Sequence, residues 1–220
     1  MISKEQDQLL QLFFAVYMAN SHYLLKVDAE YFNRILTWDN KLERYLNNIF
    51  LDPGNEMNDL KIPYVEIYER TEGYGLPKNY EEFVELIKSL GREATPLTFA
   101  ARCIYWSGIT TLEVLIRKGA DINIADGKGQ TALIAILDAF IDPAEETDVT
   151  LEESIRVPAY VVKFLLTQPG IKVDHPDNQG RTALTYAKNN GYMVSLRYLQ
   201  GFTPEPLQIA QDTAFILFRV

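Results

Sequence analysis

Few side chains in this chain are suited to nucleophilic or acid–base chemistry. It has one cysteine, Cys103, and two histidines, His22 and His175. A cysteine nucleophile needs a base or a helix N-terminus beside it, and sequence places neither histidine near Cys103. Next to Ile104, Cys103 reads as a small buried or half-buried residue. One Cys and two His cannot build a Cys/His zinc cage. A lone cysteine also forms no intrachain disulfide, which fits a reducing compartment. Asp121, Asp126, Asp174 and Asp177 lack the D-x-[DN]-x-[DN]-G spacing of a calcium loop and read as turn-bracing residues. His175-Pro176 reads as an exposed loop tip. Gly127-Lys128-Gly129-Gln130-Thr131 has the composition of a phosphate loop without its G-x-x-x-x-G-K-[ST] spacing. The expectation is no catalytic, cofactor or metal site, and no small-molecule substrate.

The bulk composition narrows the partners. Lys+Arg 21 against Asp+Glu 30 leaves a net charge of −9 over 220 residues. That balance argues against nucleic acid, whose phosphates need Lys and Arg, and against anionic membrane surfaces. An apolar fraction of 47% is enough for a sizeable core and argues against disorder. Leu9 to Ala19 (LLQLFFAVYMA) is almost wholly apolar, but Glu5 and Asp7 outweigh Lys4 where a signal peptide is positive. It is also too short to span a bilayer. It reads as a buried amphipathic helix, opened by a Ser3/Gln6 capping box.

The elements of the first half are helical and irregular. Asp28 is expected to open a helix with Tyr31, Phe32, Ile35 and Leu36 inward. Asp39 is expected to cap another, in which Leu42, Tyr45, Leu46 and Ile49 make one stripe. Residues 59–78 fit neither the helix nor the strand template. Asn79 caps a helix with Phe83, Val84, Leu86, Ile87 and Leu90 on its apolar face, and Gly91 is placed as its left-handed terminator.

From here the chain repeats itself. Thr95-Pro96-Leu97, Thr131-Ala132-Leu133 and Thr182-Ala183-Leu184 recur. The second and third stand inside D-x-x-G-x-T-A-L, beginning at Asp126 and Asp177. Leu115-Ile116-Arg117-Lys118-Gly119-Ala120-Asp121-Ile122-Asn123 follows the first copy. Each Thr is expected to cap a helix, Pro96 takes the first helical position, and Ala100 and Ala101 let helices approach closely. Gly119, Gly129 and Gly180 suit positive φ. No unit buries its apolar side alone, so the units must stack.

Over roughly residues 93–200 this resembles the ankyrin repeat, whose period is about 33 residues. The resemblance implies an all-α solenoid of stacked helix pairs, with an irregular helical N-terminal region over 1–78. The repeats and their caps are expected over 79–220, with a capping helix after Gly201 built on Leu207, Ile209, Ala210, Ala214, Phe215, Leu217 and Phe218. Departures are visible. Glu93 stands where the first copy needs glycine, and extra residues fall around Arg102–Ser107. Thr131 to Thr182 is 51 residues, so about 18 are inserted. That insertion, 141–157, holds six acids and Arg156, a net −5. Its Thr150-Leu-Glu-Glu153 spacing suits a short helix.

The resemblance also implies a non-catalytic module that binds a protein partner through loop tips and the concave inner-helix face. The exposed candidates it points to are Lys128, Gln130, Asp138, Asn178, Gln179, Arg181, Asn189 and Asn190. Tyr105 and Trp106, in the extra residues of the first clear repeat, are either a binding anchor or packed on the N-terminal helices. The acidic insertion is either a docking element or a solvated loop. Three alternatives remain: an enzyme fragment or regulatory subdomain in the N-terminal ~90 residues that the repeats target, although no catalytic constellation stands there; a dedicated inhibitor or immunity protein whose insertion blocks a basic site on a toxin or enzyme; and a bacterial effector acting in a host cell. The expected location is the cytoplasm, or the host cytosol for an effector.

Overall fold

The structure is a computed structural model in which residues 3–17, 21–44, 88–89, 91–139 and 151–201 are described. The first helix, α1 (Lys4–Tyr17), opens on the expected box. The Ser3 N–H donates to Gln6 Oε1 and the Gln6 N–H to Ser3 Oγ, each at 3.1 Å. Leu9, Leu10 and every residue from Leu12 to Tyr17 are buried. The helix is therefore enclosed on all sides from Leu12 to Tyr17, while Glu5 is exposed and Gln6, Gln8 and Gln11 are half-buried along its first turns.

Eight α-helices described from end to end form two layers. The inner layer is α1, α3 (Pro96–Arg102), α5 (Ala132–Asp138) and α7 (Ala183–Asn189). The outer layer is α2 (Ser21–Lys26), α4 (Ile104–Arg117), α6 (Leu151–Leu166) and α8 (Met193–Leu199). Each inner helix packs on the next inner one, each outer on the next outer, and each pair on itself. This is the all-α stack of helix pairs that the repeats imply. One cluster of buried residues runs through it from Leu9 to Tyr192. The α1/α2 pair, read from sequence as irregular, stands in line as the first layer of the stack. Phe13 and Tyr17 meet Phe99 of α3 with ring centroids 5.1 and 6.2 Å apart. The boundary expected at residues 78–79 and the capping helix after Gly201 lie outside the described residues.

Asparagines lock the layers together at one edge. Asn123 Nδ2 donates to the Gly170 carbonyl (3.0 Å), and its Oδ1 accepts from the Lys172 N–H (2.8 Å). Asn33 makes the same clamp one layer earlier, on the Gly119 carbonyl (3.0 Å) and the Asp121 N–H (2.6 Å). The N-terminal pair thus carries a repeat's linking residue without its motif.

The loops also stack by backbone bonds. Loop 1 (residues 91–94) meets loop 2 (121–130) through Gly127 N–H to Glu93 O, 2.8 Å. Loop 2 meets loop 3 (171–181) through Asn178 N–H to Lys128 O, 3.0 Å. Before loop 1 the ladder continues into β1 (Leu36–Thr37), antiparallel to β2 (Glu93–Ala94), with Leu36 opposite Ala94. Beside this strand pair the Trp38 N–H donates to the Arg92 carbonyl at 2.7 Å, and Trp38 and Leu42 are buried in the core of the stack. Loops 1 and 2 approach so closely that a Cβ on Gly127 would lie 2.4 Å from the Gly91 carbonyl oxygen.

Several expectations are corrected. Asp28 opens only a 3-10 turn (Ala29–Asn33) and makes no side-chain cap. The chain then extends at Arg34 (φ −79, ψ 144), so Leu36 is buried from a strand and Ile35 is exposed. Asp39 does cap the helical residues 40–44, its Oδ1 accepting from the Lys41 and Leu42 N–H groups. Of the Asn79 helix only Lys88 and Ser89 are described, and both are helical; Gly91 takes φ 77 as expected. With Glu93 in place of glycine, loop 1 puts its left-handed residues at Gly91 and Arg92 (φ 65) instead.

Thr95 caps α3, accepting from the Thr98 N–H at 3.1 Å. Thr131 makes no side-chain cap, and the Ile134 N–H turns to the Thr131 carbonyl at 2.9 Å. The extra residues before Gly108 form a helical turn, and Gly108 breaks α4 at φ 68, ψ 165. The end of the acidic insertion is not a separate short helix. Residues 151–157 are the first turns of α6, which carries Pro158 inside it.

Candidate interaction face

The inner helices and loop tips supply a polar row that crosses three layers. Counting from Thr95, Thr131 and Thr182, Arg92, Lys128 and Gln179 are equivalent tip residues before them, and Arg102, Asp138 and Asn189 are equivalent inner-helix ends after them. Sequence reasoning missed Arg92 because loop 1 lacks the glycine of the motif, and missed Arg102 because it was assigned to the extra residues. The register from Thr95 locates both.

A chain of side chains joins the layers. Arg102 Nη1 and Gln130 Nε2 both donate to Asp138 Oδ2, at 2.8 and 3.1 Å. Gln130 Nε2 also donates to the Tyr186 hydroxyl (2.9 Å), which donates to Asp177 Oδ2 (2.9 Å). Arg181 Nε donates to the same oxygen at 2.9 Å, and its guanidinium lies 4.6 Å from the Tyr186 ring centroid. Tyr186, unremarked in the sequence, is the hinge-pin of this row. Its side chain is aromatic at a position where the layer before has Ala135.

The electrostatics follow the donors. Burial alone would raise Asp177. The N–H groups of Arg181 and Gln179, the Tyr186 hydroxyl and the Arg181 guanidinium instead hold it at about 2. Burial, and then the bond to Asp177, push Tyr186 up to about 12. Asp126 is the equivalent residue one layer earlier, and its Oδ1 accepts from the Lys128 and Gln130 N–H groups at 2.9 Å each. Its Oδ2 has no donor, and burial raises it to about 6.

The candidates sort by these bonds. Gln130 is buried at 1% exposure, not exposed, because Asp138 and Tyr186 draw its amide inward. Asp138 is half-buried in its pair with Arg102. Asn178 Nδ2 is spent on the Gly127 carbonyl (3.0 Å), Arg181 on Asp177, and Asn190 Nδ2 on the Leu137 carbonyl (2.7 Å). These five are structural links in the stack. Lys128, half-buried, and Gln179 and Asn189, exposed, have side chains without a hydrogen bond among the described residues. Tyr105 and Trp106 lie on α4, but their side chains are outside the described ones. So is the acidic insertion before residue 151.

The nucleophile and metal expectations have this geometry. Cys103 is fully buried, and burial pushes its thiol well above the ordinary value, so the unreactive thiol is favoured. His175 is half-buried rather than an exposed tip, while Pro176 is exposed. The His22 side chain is not among those described. Among the described residues, no three His, Cys, Asp or Glu are grouped to hold a metal, and no helix is long and apolar enough to cross a membrane.

No family model matches the chain. Over 94 residues, 40% of its length, it is 34% identical to a protein of Acanthamoeba polyphaga mimivirus named as ankyrin repeat protein L122. The match covers 14% of that relative's own length. Among solved structures it is similar to an ankyrin repeat domain from Acinetobacter baumannii, at 16% sequence identity and a TM-score of 0.36. That alignment covers 87% of this chain and 96% of the other.

Proposed function

We propose that this chain, whose repeats are of the ankyrin type, is a non-catalytic protein-binding module that receives a protein partner along its loop tips and inner-helix face. The observation that carries the reading is a division of labour on that face. Gln130, Asp138, Asn178, Arg181 and Asn190 are bonded into the stack by their side chains, while the side chains of Lys128, Gln179 and Asn189 stand beside them without a hydrogen bond among the described residues. A rigid row with uncommitted polar ends is suited to recognition, since little side-chain order is lost in its frame on binding. The tip residue Arg92 joins the set by register.

The test is affinity enrichment from the native cell, followed by binding measurements on the recovered protein. Replacing Lys128, Gln179 and Asn189 together with Ala should weaken binding by roughly 2–4 kcal/mol if one is a hot spot. The melting temperature should move little, because Gln179 and Asn189 are exposed and the half-buried Lys128 side chain makes no hydrogen bond among the described residues, and such surface substitutions stay within about 0.5 kcal/mol each. Replacing residues 141–150 with a Gly/Ser linker is the rival arm. If that variant loses the partner and the triple variant keeps it, the inner-face reading is wrong and an electrostatic reading of the insertion takes its place.

A further inference from the structure

Loops 2 and 3 present the same aspartate in the same turn with different surroundings. Asp177 Oδ2 receives the Tyr186 hydroxyl and the Arg181 guanidinium. At the equivalent places loop 2 has Ala135, which donates nothing, and Gln130, whose amide nitrogen is turned to Asp138 and Tyr186. Two buried acceptors are left without a donor: Asp126 Oδ2 and Gln130 Oε1. Both belong to one turn, joined by the Gln130 N–H to Asp126 Oδ1 bond. Buried acceptors in this state are costly, and a carboxylate more so than an acid.

The charged groups around Asp126 do not remove the deficit. Lys128 on its own loop and Arg102 at the end of α3 favour the anion, but neither donates a hydrogen bond to it. Loop 1, against Gly127, brings Arg92 and Glu93; loop 3, against Gly129, brings Asp177 already paired with Arg181; α5 brings Asp138 paired with Arg102.

We propose that loop 2 is a proton-operated joint in the stack: Asp126 carries a proton on Oδ2 while the three loops are packed, and its loss to solvent loosens loop 2 from its neighbours. As an acid, Oδ2 becomes a donor, and Gln130 Oε1 in the same turn is the acceptor that lacks one. As an anion, Oδ2 must open the turn to reach water. The bonds that then weaken are Gly127 N–H to Glu93 O and Asn178 N–H to Lys128 O. Because the packed state holds Asp126 at about 6 against an ordinary 3.8, the joint tightens below that value and relaxes as pH rises through it.

The experiment is carboxyl 13C titration of the full chain with amide hydrogen exchange at pH 5 and 7.5, corrected for intrinsic exchange. The Asp126 carboxyl should titrate near 6, and protection at Gly127 and Asn178 should fall about tenfold between the two pH values. Asp126→Asn should make both protections independent of pH. Gln130→Arg keeps the aspartate and supplies the donor that loop 3 has in Arg181; it should bring the Asp126 midpoint below about 4 and abolish the pH response. An Asp126 midpoint at the ordinary carboxylate value in the native chain overturns the proposal. So does equal protection at both pH values, a pH response that survives in Gln130→Arg, or a fall shared equally by Leu112 and Leu115 in α4, which would mark opening of the whole fold.

Discussion

Tyr186 spans two layers with one hydroxyl, accepting from Gln130 and donating to Asp177. Tyr186→Phe keeps the ring against Arg181 and removes only that oxygen. It should cost about 1–3 kcal/mol, since two buried hydrogen bonds are lost, one of them to a carboxylate, while Asp177 Oδ2 keeps Arg181 and Gln130 Nε2 keeps Asp138. Urea unfolding of the two proteins measures it. Asp177 adds a pH signature. Its value in the fold, about 2, lies below the ordinary 3.8, so its contribution is present above 3.8 and is lost as pH falls through about 2. Asp177→Asn should therefore be destabilised against the native chain at neutral pH, and the difference should vanish toward pH 2. An unfolding difference that stays constant over that range would refute the assignment of the anion to the Arg181/Tyr186 pair.

At the scale of elements, the loops depend on close approach more than on turn type. Gly129 and Gly180 are equivalent and both have positive φ, 78 and 75. A Cβ on Gly129 would lie 2.7 Å from the Asn178 backbone nitrogen, whereas one on Gly180 meets nothing within 4 Å. Gly180→Ala should cost about 1–2 kcal/mol for the left-handed backbone alone. Gly129→Ala should cost roughly 3 kcal/mol or more, because the junction between loops 2 and 3 must also move. Thermal unfolding of the pair compares them directly. The asparagine clamps give a second comparison. Asn33→Ala and Asn123→Ala should destabilise by similar amounts, about 1–3 kcal/mol, if the N-terminal pair is held as a true layer. An Asn33→Ala protein as stable as the native one would reduce that clamp to a surface contact.

For the molecule as a whole, the insertion divides at residue 151. Replacing 141–150 with a Gly/Ser linker should leave the melting temperature nearly unchanged, since loop-closure entropy varies slowly with length. Removing 151–157 should lower it, because those residues are the start of α6 and lead into its buried Pro158 and Ala159. Circular dichroism melts of the two deletions separate the outcomes. End effects act at the same scale. Leu97 and Leu133 are each 1% exposed, while the equivalent Leu184 is 41% exposed, because another described layer covers the first two and none covers the last.

By itself the sequence determined the repeat and its period, because the motif is local. The threonine, the turn aspartate and the glycine act within a few residues of one another, so their types and spacing suffice to place helix starts and tight turns. The bracing roles of Asp121, Asp126 and Asp177 were legible for the same reason. Only the tertiary structure decided the rest. The α1/α2 layer has no motif, and its membership shows through Asn33, which finds its partners 86 and 88 residues away. Gln130 and Gln179 look alike in sequence as polar loop residues. One is buried because Tyr186, 56 residues on, offers its hydroxyl, and the other stays exposed because no such group reaches it. Asp126 and Asp177 share a motif and differ in charge state because their second oxygens face different neighbours. The physical reason is the range of the interactions: turn and cap bonds are written in adjacent residues, but burial and donor supply are set by whatever the stack brings alongside.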